Sequence, residues 1–334
     1  MSEPVRVGLN GFGRIGRNVF RASLANDNVE VVGINDVMDD SEIDYFAQYD
    51  TVMGELEGAS VDDGVLTVEG TDFEAGIFHE TDPTQLPWDD LDVDVAFEAT
   101  GIFRTKKDAG QHLDAGADKV LISAPPKGDE PVKQIVYGVN HDEYDGEDVV
   151  SNASCTTNSI TPVAKVLDEE FGINVGQLTT VHAYTGSQNL MDGPNGKPRR
   201  RRAAAENIIP TSTGAAQATT EVLPQLEGKL DGMAIRVPVP NGSITEFVVD
   251  LDEDVTESDV NAAFEAAADG ELEGVLGVTN DELVSSDILG DPYSTQVDLS
   301  STNVVNGQTK ILTWYDNEYG FSNRMLDVAE YITE

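Results

Sequence analysis

The chain has 334 residues, 39% of them hydrophobic, a length that favours two domains over one oversized core. Its 62 acidic and 20 basic side chains give a net charge of −42, which would repel nucleic acid. The acids are interleaved with apolar strand and helix patterns, and the 31 glycines follow no fixed period, so disordered, collagen-like and low-complexity readings are excluded.

The N-terminal MSEPVRVGLNGFG carries neither an apolar signal core nor a basic leader, and nowhere do 18 apolar residues run consecutively, so no membrane span is expected. Val5, Val7 and Leu9 alternate as in a strand. Gly11, Gly13 and Gly16 follow in the spacing G-x-G-x-x-G, and Ile15, Val19, Phe20 and Leu24 then fall on one helical stripe. In that order Gly11 makes a tight turn, Gly13 lets backbone approach a pyrophosphate, and Gly16 packs helix on strand. A second strand, VEVVGIND, ends at Asp36, where a carboxylate accepts from ribose hydroxyls and repels a 2′-phosphate. The constellation predicts binding of a dinucleotide whose adenosine ribose carries no 2′-phosphate.

Further strands are expected at 93–99, 119–125 and 148–154, with a helical crossover over 105–117. The alternation predicts an α/β, doubly wound parallel (Rossmann) sheet with ligands at the carboxyl ends of its strands. Thr100, Gly101 and Ser123 fall at such ends, as loop chemistry or as cofactor contacts.

Cys155, the only cysteine, follows a strand and precedes a helix with Ile160, Val163, Ala164, Leu167 and Phe171 on one face. It cannot form an internal disulfide, which favours a reducing, cytoplasmic compartment. Pro162 is expected to kink the helix, and a thiol at the helix N-terminus is expected to have a lowered pKa. A buried structural cysteine is the alternative, against which its polar neighbours argue. Of His79, His112, His141 and His182, the last ends the strand-like QLTTVHAY and is the favoured base.

Lys197 and Arg199 to Arg202 form a basic run in this acidic chain. It reads as a nucleic-acid contact, which the net charge opposes, as solvated or ion-paired structure, or as a cradle for an anionic substrate. PTSTGAA (210–216) offers hydroxyls and a turn suited to oxyanions, and MAIRVPVP sets Arg236 among apolar strand residues. Asn-Gly pairs at 241–242 and 306–307 predict two hairpins, hence a second α+β domain with a mainly antiparallel sheet. Phe321, Met325, Val328 and Ala329 mark a last helix expected to return to the first domain.

Taken in order, NGFGRIGR, IND, EATG, ISAP, SNASCTTNS, TVHAYT, RRAAAENIIPTSTGAA, RVPVPN and WYDNEYGFSNR closely resemble the phosphorylating glyceraldehyde-3-phosphate dehydrogenases over nearly the whole chain. The resemblance implies a dinucleotide-binding domain over 1–154 completed by 317–334, and a catalytic domain over 155–316. It implies Cys155 as nucleophile and His182 as its base. Ser154, Thr156, Thr213 and Gly214 would line the inorganic-phosphate site; Thr185 and Arg236 would hold the substrate phosphate, with Arg200 supporting the anion region. Arg14, Ile15, Asp36, Ser123 and Asn317 would contact NAD, and Gly193-Pro194 resembles the form in NAD-preferring members. A homotetramer acting in glycolysis or gluconeogenesis is implied, with no metal. Thr81 stands where many relatives have arginine, and Phe321 where tyrosine is common. An erythrose-4-phosphate dehydrogenase of the same superfamily is the alternative.

The charge carries its own expectation. At about 1 M salt the Debye length is about 3 Å and most self-repulsion is screened. The chain therefore reads as one built for a high-salt, halophilic interior. Desalting into millimolar buffer should lower its thermal midpoint, measured by circular dichroism; an unchanged midpoint would remove that reading.

Overall fold

The computed structural model describes residues 3–334, which divide into two compact units. The first comprises the chain up to Tyr137, His141–Ser154 and Ser322–Glu334; the second comprises Gly138–Asn140 and Cys155–Phe321.

The first unit is built on nine strands: β1 (Val5–Asn10), β2 (Val29–Asn35), β3 (Ala59–Asp62), β4 (Val65–Val68), β5 (Glu74–Phe78), β6 (Val95–Glu98), β7 (Lys119–Ile122), β8 (Lys133–Gln134) and β9 (Val149–Ser151). Their order is β8-β9-β7-β6-β1-β2-β5-β4-β3, parallel from β8 to β5 and antiparallel beyond. The inner strands are buried across both faces, as short valine-rich runs in a helix-covered parallel sheet must be. From β1 the chain returns at β2 on one side, while β6 lies on the other. This is a topological switch point, at the ends of Asn10 and Glu98.

Helix α1 (Arg14–Ser23) follows the glycine loop, and α2 (Asp40–Gln48) starts with a capping box between Asp39 and Glu42. The 105–117 crossover is not one helix. It breaks into α3 (Lys106–Ala109) and α4 (Gln111–Asp114) at Gly110, which ends one turn and opens the next. The expected strands at 93–99, 119–125 and 148–154 are also shorter than their apolar runs, because their last residues have left the ladder for the loops at the carboxyl edge.

Beneath that edge lies a buried polar network. Trp88 packs on Gly8 and Gly33, where a Cβ would come within 3.0 Å of the indole, and its Nε1–H donates to His112 Nδ1 at 3.0 Å. His112 must then carry its ring proton on Nε2, 3.3 Å from Glu98 Oε2. Asn10 Nδ2 donates to the same oxygen at 2.6 Å, and Asn35 Nδ2 donates to Asn10 Oδ1 at 2.7 Å. The ends of β1, β2 and β6 are thereby tied to one another.

The second unit carries β10 (Ile173–Ala183), β11 (Ile209–Ser212), β12 (Leu230–Val237), β13 (Ser243–Leu251), β14 (Leu276–Thr279), β15 (Thr295–Asp298), β16 (Asn303–Val305) and β17 (Gln308–Tyr315). Their order is β11-β12-β10-β13-β17-β15-β14, with β16 beside β17. The sheet is mixed and mostly antiparallel, β10/β12 and β14/β15 being parallel. Helices α5 (Cys155–Phe171), α6 (Ala215–Val222) and α7 (Glu257–Ala268) pack against it. α5 runs unbroken through Pro162.

Only one Asn-Gly pair makes a hairpin. Asn306 and Gly307, both at positive φ, join β16 to β17. Asn241-Gly242 does not: β10 lies between β12 and β13. Asn241 Nδ2 instead donates to Asp316 Oδ1 at 2.8 Å, and Pro238 and Pro240 deny the chain the donors of a ladder.

The last helix, α8, runs Tyr319–Thr333. From Ser322 onward it belongs to the first unit, where Asn28 Nδ2 donates to Glu330 Oε1 at 2.8 Å. No helix among the described residues is long and apolar enough to cross a membrane.

Trp88→Phe keeps the ring on Gly8 and Gly33 but leaves His112 Nδ1 buried without its donor. It should lower stability by about 1–3 kcal/mol, read from the guanidinium midpoint in high salt; an unchanged midpoint would mean that the network does not brace the sheet edge.

Candidate active site

The catalytic candidates of the second unit are brought together by strand register. Side chains alternate along β10, so Thr180 and His182 share the buried face. His182 pairs with Arg236 on the parallel neighbour β12, which sets the arginine beside the imidazole. Cys155 is the first residue of α5, and its Sγ lies 3.5 Å from His182 Nε2. Ala153, two residues earlier, is buried at φ +55°, a conformation that costs a non-glycine residue about 1–3 kcal/mol and shapes the turn ahead of the cysteine.

The other ring nitrogen is contested. His182 Nδ1 is 2.7 Å from Ala183 O, and Arg236 Nη1 is 2.8 Å from both. Burial, together with the charges of Arg236 and Arg200, brings the imidazole pKa down to about 3. Burial also pushes the Cys155 thiol above its ordinary value, outweighing the pull of Arg236. Desolvation thus opposes the lowering expected from the helix terminus, and it disfavours the charged form of both groups. Tyr315, its ring 5.9 Å from that of His182, is driven by burial to about 12 and stays a neutral hydroxyl. It bonds Thr180 Oγ1 at 2.8 Å and Thr156 Oγ1 at 3.0 Å. The Thr156 hydroxyl, expected at the inorganic-phosphate site, is therefore engaged with Tyr315.

The basic run divides. Arg202 pairs with Asp192 at 2.8 Å, Arg201 Nε donates to Asn195 O at 2.9 Å, and Arg199 Nη1 reaches Pro210 O at 3.5 Å; these fold the loop. Arg200 Nε donates to Thr211 Oγ1 at 3.1 Å and Nη1 to Ser187 Oγ at 3.2 Å. Lys197 Nζ donates to Ser212 Oγ at 2.8 Å. Burial and the charges of Arg200 and Arg236 depress the Lys197 pKa, so three cations share one neighbourhood. None of the three is ion-paired to a carboxylate among the described residues. Arg236 Nε is also buried without a partner. Such a group suits an anion. Thr185 Oγ1 meets Ser187 Oγ at 2.9 Å, and Thr213 Oγ1 accepts from Ala215 N at 3.1 Å, keeping its own proton to donate. Gly214 opens α6 with no side-chain cap. Lys197 was legible only as part of a charge run, and Tyr315 and Thr180 carried no signal beyond strand periodicity.

The dinucleotide candidates of the first unit gather at the switch point. Gly11 turns at φ +104°, with Thr100 N only 2.7 Å from where a Cβ would sit. A Cβ at Gly16 would run into Gly11 O, whereas one at Gly13 would meet nothing within 4 Å. α1 begins with no side-chain cap and no acid in its first turn, a helix start that suits a pyrophosphate. Asp36 is held by Phe12 N at 2.6 Å and Met38 N at 3.0 Å. Thr100 N donates to Glu98 Oε1 at 2.9 Å, and Ser123 N to Glu98 O at 3.0 Å. Arg14 is ion-paired with Asp50, and Ile15 beside it is half-buried. These residues fit a dinucleotide. Ser154 belongs to the first unit; Asn317, in the second, accepts from Ser243 Oγ at 2.7 Å through Oδ1. The remaining histidines serve elsewhere: His112 in the buried network, His79 with Asp40, and His141 against Tyr137 and Tyr331.

Comparison with known proteins gives the family. The family model described as glyceraldehyde 3-phosphate dehydrogenase, NAD binding domain, matches residues 5–106, and that of the C-terminal domain matches 154–317. The chain is 94% identical over 334 residues, all of both chains, to the glyceraldehyde-3-phosphate dehydrogenase of Haloarcula vallismortis, a halophile. It is 54% identical over 334 residues to that of Streptomyces coelicolor and 51% over 332 residues to that of Geobacillus stearothermophilus, covering 98% of each chain in both cases. By fold, by family match and by full-length identity, the chain belongs to the glyceraldehyde-3-phosphate dehydrogenase family of NAD-dependent oxidoreductases.

Proposed function

We propose that the chain converts glyceraldehyde 3-phosphate, inorganic phosphate and NAD into 1,3-bisphosphoglycerate and NADH through a thioester on Cys155. The observation that carries this reading is a sulfur 3.5 Å from an imidazole, with Arg236, Arg200 and Lys197, three cations without carboxylate partners among the described residues, in the same neighbourhood. Erythrose 4-phosphate as substrate draws no support from the relatives, which are named for glyceraldehyde 3-phosphate.

The steps follow from the groups available. His182 Nε2 accepts the thiol proton as sulfur bonds to the aldehyde carbon, and returns it to the oxyanion to give a hemithioacetal. NAD, when bound, supplies the acceptor for the hydride that this carbon loses. His182 takes the hydroxyl proton in the same event, and the carbonyl reforms as a thioester. A phosphate oxygen then attacks the carbonyl, the sulfur leaves as thiolate, and an acyl phosphate is released. Sulfur suits the nucleophile because a thioester stays reactive to phosphate. Arg236 and Thr185 would hold the substrate phosphate. Thr213, Gly214, Ser154 and Thr156 would serve the inorganic one, Thr156 through its backbone rather than its engaged hydroxyl, with Arg200 and Lys197 adding charge. Gly11, Gly13, Gly16, Arg14, Ile15, Asp36, Thr100, Ser123 and Asn317 would hold the dinucleotide.

Self-association into a homotetramer in the cytoplasm belongs to the same reading. Its support is the family and a loop that exposes Leu190 at 76% and Met191 at 74%, surfaces that a soluble monomer would rarely leave open.

NADH formation from glyceraldehyde 3-phosphate in high salt should require added phosphate. Cys155→Ser should abolish it, and His182→Asn should slow it by roughly 10²–10⁴, the range for general acid–base help. Turnover that persists in Cys155→Ser would end the thioester reading.

A further inference from the structure

We propose that Glu98 is a positioning residue of the dinucleotide site. Its buried carboxylate pins Thr100 against the Gly11 turn, and so shapes the half of the site that takes the pyrophosphate and the nicotinamide. This deepens the reading of the first unit as the NAD-binding part of the chain, and rests on it.

The Glu98 carboxylate is buried, and each of its partners donates. Oε1 accepts from Thr100 N at 2.9 Å and from the Thr100 hydroxyl. Oε2 accepts from Asn10 Nδ2 at 2.6 Å and faces His112 Nε2 at 3.3 Å. That last contact is attractive only while Nε2 carries the ring proton, and Trp88 ensures it by donating its own N–H to Nδ1 at 3.0 Å. No lysine or arginine is paired with Glu98 among the described residues. An acid buried among neutral donors is costly, and a glutamine would tie β1 to His112 with less desolvation. What the carboxylate adds is an acceptor on both sides at once: Oε2 is anchored to β1 and His112, and Oε1 is left to hold Thr100.

Thr100 is where this hold reaches the ligand site. Its hydroxyl gives its proton to Glu98 and accepts from Ile102 N at 3.1 Å, so it has no proton left to give a ligand. What Thr100 offers is its backbone. Thr100 N lies 2.7 Å, and Ala99 C 2.8 Å, from where a Cβ of Gly11 would sit. The Gly11 turn is therefore built directly on the peptide that Glu98 holds. The Glu98 carbonyl also accepts from Ser123 N at 3.0 Å. One residue thus fixes both candidates at the ends of β6 and β7, Thr100 by its carboxylate and Ser123 by its backbone. Strand order gives the half of the ligand concerned. β1 lies between β2 and β6. Asp36 closes β2 on the adenosine-ribose side, so a dinucleotide crossing the switch point from there arrives over β6 and β7.

Glu98→Gln keeps the size and removes one acceptor. Its amide does best with the oxygen on Asn10 and His112, which sets its NH2 against Thr100 N, donor against donor. The disturbance falls on Thr100 and spares Asp36. The test is calorimetric titration of the intact enzyme with NAD and, separately, with AMP, which carries only the adenosine half. It is run in high KCl, well below the melting midpoint. Glu98→Gln should raise Kd for NAD by about tenfold, the loss of one hydrogen bond to a charged group, and leave Kd for AMP where it was. KM for NAD should rise in step, with kcat at saturating NAD changed far less. An unchanged Kd for NAD would mean that Glu98 only braces the sheet, and equal weakening of NAD and AMP would mean general loosening; either overturns the proposal. Thr100→Val removes the hydroxyl from the same contact and carries the test if Glu98→Gln does not fold. It too should weaken NAD and spare AMP, and wild-type affinity for NAD would overturn the proposal. In the double variant the two losses should fall short of their sum, because they break one interaction; additive losses overturn it as well. A wild type that binds neither NAD nor AMP removes the dinucleotide reading itself, which no behaviour of the variants can do.

Discussion

The site depends on one contact, between the imidazole of His182 and the thiol of Cys155. His182 faces Cys155 because a strand with a two-residue period ends where a helix begins, and because that face of β10 is closed to water. Desolvation alone would make the pair inert, since both charged forms are disfavoured there. Three cations without carboxylate partners among the described residues stand in that neighbourhood, so an anion bound among them changes the electrostatic surroundings of the pair, whereas its burial is fixed by the fold.

The same economy of charge runs through the rest of the chain. Against a net −42, the loop after β10 concentrates basic residues, yet most of them are spent on holding the loop's own shape. Only Lys197 and Arg200 join Arg236 in a neighbourhood without acids. In the first unit the opposite device is used. Arg14 is paired with Asp50, and what favours an anion there is the positive end of the α1 dipole, with no acid in its first turn. One unit uses dipoles held by glycine geometry, the other uses full charges on flexible side chains.

Much of this was legible from residue order. The glycine spacing and Asp36 announced the switch point because only that order of turn, close approach and packing works, and Cys155 stood out by being alone. What failed to be legible was decided by distant partners. Asn241-Gly242 carries a strong turn signal, but β10, some sixty residues earlier, inserts between the strands it separates. The crossover over 105–117 has a helical pattern, but Gly110 and the cap at Thr105 divide it. Thr156 sits in a run of hydroxyls, and nothing local says that Tyr315 will claim its oxygen. The surroundings of Cys155 were hidden for the same reason: a helix dipole can be read from sequence, while the depth of burial cannot.

The three cations have a consequence that reaches beyond the folded state. At about 0.01 M salt the field of a protein extends roughly 30 Å, so an approaching sugar phosphate meets the acidic exterior long before it meets Lys197, Arg200 and Arg236. In strong brine the far repulsion is extinguished, while the short-range attraction inside the partly buried cluster survives. Salt thus acts as a gatekeeper for encounter as well as a guard of the fold, a distinction that association rates measured on still-folded enzyme can read and melting curves cannot.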